Sequence, residues 1–168
     1  MAPAFVQARA ATGQSGIAIS LAFTNPLALM NTGFVAVAYT DNGVFASSVD
    51  DDNNNTYSLL KRFTASSRNA EIWMANGLIA GAATVTIHFP SSKSGVGVGL
   101  LEYMPTVGKV FAIDQQNGDS SSSSVTAFPH GSITTTVAVE LILAVGRLNQ
   151  AITPPAGYIA QVNPAGSN

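Results

Sequence analysis

Alternation of apolar and polar positions with a period of two dominates the chain. Between Gly16 and Phe23, Ile17, Ile19, Leu21 and Phe23 fall on one face, and Ala18, Ser20 and Ala22 on the other. Thr84-Val-Thr-Ile-His-Phe89 alternates as cleanly, with Val85, Ile87 and Phe89 inward and Thr84, Thr86 and His88 outward. A strand with one face in the core and one in water produces this pattern. Gly33 to Thr40 and Glu140 to Gly146 are nearly continuous apolar runs, as expected of strands covered on both faces. Further strands are predicted over Phe5–Ala10, Val44–Val49, Tyr57–Phe63, Ala70–Ala75, Val96–Tyr103, Val125–Phe128 and Tyr158–Val162.

Turn chemistry separates these segments at Asn25-Pro26, Asn31-Thr-Gly33, Asp41-Asn-Gly43, Asn76-Gly77, Gly81, Asn117-Gly118 and Pro154-Pro155. Gly and Asn supply the positive φ of tight turns, and Pro presets φ. No amphipathic helix is expected; Pro26 to Met30 allows one turn at most. The pattern predicts an all-β protein, an antiparallel two-sheet β-sandwich (jelly-roll or Ig-like) of about ten short strands. A single domain is expected over residues 1–162, with a frayed tail at 163–168. The Ser-rich stretch Asp119 to Ser124 is taken as an exposed loop, because strand-like sequence resumes directly after it.

The 168-residue chain is long enough for a sizeable core. Charged residues make up only 10%, so its surface must be built largely from uncharged polar groups. A net charge of −2 provides too little positive field for non-specific nucleic-acid binding. The absence of Cys excludes disulfides, thiolate metal sites and cysteine nucleophiles. No apolar run approaches the ~18 residues of a spanning helix. The start, Met1 to Arg9, carries no basic stretch followed by an apolar core, so no secretory signal is expected in this chain.

Candidate chemistry is sparse. Asp50, Asp52 and Asn54 have the alternating spacing with which a loop presents oxygens to Ca2+, but the glycine and distal glutamate of an EF-hand loop are missing. The competing reading of Asp50 to Asn55 is a solvated hairpin turn. His88 and His130 are the only imidazoles, and no Gly-x-Ser-x-Gly elbow accompanies them. Glu71, Glu102 and Glu140 lie on predicted strands; a glycosidase pair is open by residue type, while the plainer expectation places each at a strand edge or outward face. Gly95-Val-Gly-Val-Gly99 lacks phosphate-loop spacing and suggests a bulge or close backbone approach. Trp73, Tyr39, Tyr57, Tyr103 and Tyr158 are the rings available for a sugar platform, with core packing the default for Trp73.

Taken in order, several segments resemble a β-sandwich module of large bacterial surface proteins and bacteriophage structural proteins. They are Phe5-Val-Gln with the Ile/Leu strand after it, Gly33-Phe-Val-Ala-Val-Ala, and Val49-Asp-Asp-Asp-Asn-Asn-Asn-Thr-Tyr57. Glu71-Ile-Trp-Met-Ala75, Thr84-Val-Thr-Ile-His-Phe89 and Leu101-Glu-Tyr103 follow. Ser132-Ile-Thr-Thr-Thr136, Glu140-Leu-Ile-Leu-Ala-Val-Gly146 and Pro154-Pro-Ala-Gly-Tyr158 match its closing half. The resemblance transfers no catalytic residue. It implies a non-enzymatic structural protein of a virion surface (capsid decoration, tail or fibre) or an extracellular filament. Expected partners are copies of itself and other structural proteins of the particle, with a carbohydrate-binding or adhesion module as the alternative. The module continues past its Pro-Ala-Gly-Tyr segment where this chain stops, so a neighbouring subunit is expected to cover a sheet edge.

Overall fold

The computed structural model describes residues 3–41, 43–65, 67–117, 134–136 and 140–145. Among them are six strands and no helix: β1 (Ala4–Ala22), β2 (Thr32–Thr40), β3 (Ser48–Asp51), β4 (Ser58–Ala65), β5 (Arg68–Asn76) and β6 (Thr84–Met104). No helix is therefore long and apolar enough to cross a membrane. The strands form one open antiparallel sheet in the order β1-β6-β2-β5-β4, with β3 paired to β6 beside that path. A second sheet is not formed by hydrogen bonding among the described residues, and six strands stand where about ten were expected.

Two pairs of expected strands are each fused into one. Phe5–Ala10 and Gly16–Phe23 join in β1, and Thr84–Phe89 and Val96–Tyr103 join in β6. The glycines between them act as bulges instead of breaks. Gly13 (φ 68°), Gly16 (φ 145°) and Gly95 (φ 62°) hold positive φ where the β1–β6 register shifts between Ala11 and Ala18. Extra residues accommodated at positive φ bend a ladder without ending it. The ribbon consequently has two ends with different neighbours. At one end β6 pairs with Ala4 to Ala11 of β1 and, through Gly97 to Tyr103, with β2; at the other it pairs with Ala18 to Ala22 of β1 and, through Val85 to His88, with β3.

The apolar side chains of both ends meet in one cluster. Ile19, Leu21, Val49, Val85 and Ile87 come from the β3 end, and Val35, Val37, Tyr39, Trp73, Val98 and Leu100 from the β2 end. Full burial of each large aliphatic or aromatic side chain contributes about 1.5–3 kcal/mol. β2 is covered on its second face too, where Phe34, Leu101 and Tyr103 pack under Phe111, Leu141 and Leu143. This double burial is what the apolar run from Gly33 signalled. Glu140 to Gly146 was expected to behave likewise; its described residues, 140–145, carry no strand pairing, and Leu141 and Leu143 lie on that second face.

Smaller corrections have local causes. The turn expected at Asn31-Thr-Gly33 falls one residue earlier, with Met30 at φ 66°, because Thr32 and Gly33 already pair with β5. Residues 26–30, where one turn at most was expected, make a bridge from Leu27 to Gly81 and a turn. The expected strands at 125–128 and 158–162, the tail at 163–168, His130 and Tyr158 lie outside the described residues.

Candidate functional site

Glu71 and Glu102 are fully buried, contrary to the expectation that each marks an edge or an outward face. Chain parity explains the difference: Glu71 shares a face with Trp73 and Ala75, and Glu102 with Val98 and Leu100, all core residues. An inward carboxylate needs donors for both oxygens, and each has them.

Glu102 gathers the start of the sheet. Its Oε1 accepts from the Ala28 N–H at 2.9 Å and Asn31 Nδ2 at 2.7 Å, and its Oε2 from Gln7 Nε2 at 2.6 Å. Gln7 in turn accepts from the Asn25 N–H at 2.9 Å and donates to the Asn25 carbonyl at 3.0 Å. One β6 side chain thereby fixes the β1–β2 connection. Glu71 performs the same service for the β2–β3 connection. Its Oε1 accepts from Tyr39 OH at 2.5 Å and the Ala46 N–H at 3.1 Å, and its Oε2 from the Arg62 guanidinium at 3.0 Å. Arg62 also donates to the Ala46 carbonyl at 3.1 Å and lies over the Phe45 ring. Burial, and then the adjoining Glu71 carboxylate, push the Tyr39 hydroxyl far above its ordinary value. With both oxygens engaged in separate networks, these carboxylates are loop anchors and present no glycosidase pair.

The Asp50–Asn55 run forms a turn organised by Asp51, the residue between the Ca2+ candidates Asp50 and Asp52. Asp51 is buried; its Oδ1 accepts from the N–H groups of Asn53 (3.0 Å) and Asn55 (2.9 Å), and its Oδ2 from Asn55 Nδ2 (2.9 Å) and Tyr57 OH (3.3 Å). Burial, followed by the charge of Asp51, pushes the Tyr57 hydroxyl well above its ordinary value. Asn55 Oδ1 accepts from the Ile79 N–H at 2.8 Å, which ties the turn to the loop before β6. The proposed Ca2+ ligands have separate roles. Asp50 Oδ2 lies 3.0 Å from His88 Nε2, Asp52 Oδ1 accepts from the Thr84 N–H at 2.8 Å, and Asn54 supplies the positive φ of 65°. Among the described residues no group of three or more His, Asp or Glu side chains is placed to hold a metal ion.

His88 stands on the outward face, as expected, with Ser48 opposite it on β3. Its contact with Asp50 is close but off the line a hydrogen bond needs, and both side chains are about half exposed. An exposed pair of this kind contributes little. At the ribbon bend, Lys93 is buried and contacts Asp41 Oδ2 at 2.5 Å and Ser91 Oγ at 2.9 Å. The sugar platform is not assembled from the rings described: Tyr39, Tyr57, Trp73 and Tyr103 are all buried. Burial also raises the Tyr103 hydroxyl above its ordinary value.

Among the described residues, the most exposed apolar side chains cluster where β2 begins and β6 ends. Leu29 (66%), Met30 (63%), Val107 (92%) and Val110 (68%) are open to solvent there. With Met104 they line a cavity of about 550 Å³ between the 28–31 turn and an arm, residues 105–117, that leaves β6. Among the described residues, Lys109 is the only charged one on its wall. The arm is anchored by Phe111, whose ring meets Phe34 edge-on at 5.4 Å and Tyr103 at 6.4 Å. Asn76 Nδ2 donates to the Phe111 carbonyl at 3.0 Å. Further along, the Thr136 hydroxyl and then its N–H bond to Asp114, and these bonds, joined by one from Glu140, hold the Asp114 carboxyl below its ordinary value.

Neither the parity of the buried glutamates nor the spacing of Leu29, Met30 and Val107 marks a catalytic motif; the first was legible along the strands, the second only in three dimensions. Comparison with known protein families, with curated proteins and with solved structures finds no match in any of the three.

Proposed function

We propose that the chain is a non-enzymatic structural protein that works by association, as a virion surface subunit (capsid decoration, tail or fibre) or an extracellular filament subunit. Its partners in this reading are copies of itself and other structural proteins of the same particle. The observation that carries it is the apolar rim of Leu29, Met30, Met104, Val107 and Val110 beside a single lysine. Exposed apolar patches of this sort mark association surfaces more often than they occur on isolated monomers. The commitment of Glu71, Glu102 and Asp51 to loop anchoring adds support, since it leaves none of these carboxylates for acid–base work.

The same reading completes the fold as a two-layer sandwich. The β3 end of the β1–β6 ribbon folds over the β2 end, and the shared apolar cluster becomes the filling between layers. Burial of Tyr39, Tyr57, Trp73 and Tyr103 weighs against the carbohydrate-binding alternative, whose fifth ring, Tyr158, lies outside the described residues.

Sedimentation equilibrium over a wide concentration range tests the proposal. Reversible association is expected, nearly indifferent to salt because only 10% of residues are charged, and weakened at least tenfold by Val107→Asp. A monomer at every concentration, in wild type and variant alike, contradicts the proposed self-association.

A further inference from the structure

We propose that Asn76-Gly77 is a deamidation site guarded by the docked arm, and that its conversion releases the arm irreversibly. Asn76 ends β5 and Gly77 follows at φ 67°, both exposed. An Asn followed by Gly is the least hindered sequence for succinimide formation, because no side chain crowds the attacking nitrogen. The Gly77 backbone nitrogen, losing its proton, bonds to Asn76 Cγ; the Cγ–Nδ2 bond breaks and nitrogen leaves as ammonia. Water then opens the ring to aspartate or isoaspartate. Water is the only co-reactant, and no electrons are exchanged.

Two contacts set Asn76 apart from an ordinary turn asparagine. Its Oδ1 accepts from Thr32 Oγ1 at 2.8 Å, and its Nδ2 donates to the Phe111 carbonyl at 3.0 Å. A backbone carbonyl can only accept, so the amide orientation is fixed by chemistry: nitrogen faces the arm. Both bonds restrain rotation of the side-chain amide, which must turn for Cγ to meet the Gly77 nitrogen, so the docked arm slows the reaction. Deamidation would replace the donor by a carboxylate oxygen and set it against the carbonyl oxygen of Phe111. The pin becomes a repulsion, and the arm that covers Phe34 and Tyr103 cannot settle back. Arm undocking thus permits the chemistry, and the chemistry makes undocking permanent.

Two readouts on the full chain test this. Peptide mass spectrometry after mildly alkaline incubation follows the exchange of amide for carboxylate at Asn76. Loss of the Phe111 anchor in Phe111→Ala is expected to speed it roughly tenfold, the worth of one to two hydrogen bonds. Trypsin cleavage after Lys109 reports arm docking. It is expected to be fastest in Asn76→Asp, intermediate in Asn76→Ala, and slowest in wild type, with Trp73 fluorescence showing each variant folded. An Asn76 rate unchanged by Phe111→Ala, or Lys109 cleavage in Asn76→Asp equal to wild type, overturns the proposal.

Discussion

Glu71 and Glu102 flank β2 on either side, point to the same face of the sheet and are equally buried, yet they are neutralised by different means. Glu71 faces Arg62, its direct cross-strand partner on β4, so its charge is balanced by a guanidinium that itself remains about 30% exposed. Glu102 meets amides only: Gln7, Asn31 and the Ala28 N–H. The first arrangement is an ion pair at the rim of the core, and the second is a carboxylate solvated by the protein itself. The difference teaches where each loop's order comes from. The β2–β3 connection is held through a charge partner that water can partly replace, whereas the β1–β2 connection depends on one acceptor with no substitute.

The largest expected effect breaks the Glu102 side of this contrast. Glu102→Ala leaves the Ala28 N–H and Asn31 Nδ2 without their acceptor inside the fold, and should cost about 4 kcal/mol of stability, counting roughly 1–3 kcal/mol for each group left unsatisfied. Denaturant unfolding measures it; a loss below about 1 kcal/mol would mean that other groups or water take over.

Next comes the Glu71 side. Arg62→Met keeps most of the stem over Phe45 but leaves a buried carboxylate without its cation, at a cost of about 3 kcal/mol, the low end for a broken pair because Arg62 is partly exposed. Adding Glu71→Leu to Arg62→Met should recover only about 1 kcal/mol, since it removes the unpaired charge but leaves the Ala46 N–H and the Tyr39 hydroxyl without their acceptor. No equivalent rescue exists at Glu102, which meets no cation whose removal a second substitution could offset. A double variant as unstable as Arg62→Met would erase the distinction.

A smaller effect separates the sites by pH. Tyr39 and Tyr57 are held protonated in the fold far above the tyrosine value of about 10 at which they ionise when unfolded. The folded chain therefore binds more protons than the unfolded one above that pH. Stability is full below about pH 10 and falls as pH rises further, by about 1.4 kcal/mol per pH unit for each such group. Tyr39→Phe should flatten the decline measured by alkaline unfolding, while Gln7→Leu at the Glu102 site should leave its slope unchanged.

Some of this architecture was open to reading from residue order and some was not. Alternation in Thr84–Phe89 and the apolar run after Gly33 announced β6 and β2 correctly. The strands expected over Phe5–Ala10 and Gly16–Phe23 are one, because positive φ at Gly13 and Gly16 bends the ladder at a bulge without ending it. The buried glutamates were legible by parity with Trp73 and Leu100, but the habit of placing charges outward overrode that signal. Asp51 escaped notice because its neighbours Asp50 and Asp52 have the more suggestive ligand spacing. The apolar rim was illegible: Leu29 and Val107 are far apart along the chain and meet only because β2 and β6 pair.

Residue-resolved hydrogen exchange at the Ala28 and Ala46 amides, in Glu102→Gln and Glu71→Gln, tests most directly the claim that these carboxylates are independent loop anchors. Glu102→Gln should speed exchange at Ala28 and leave Ala46 protected, and Glu71→Gln should do the reverse. Protection that falls at both amides in either variant, or at neither, would contradict it.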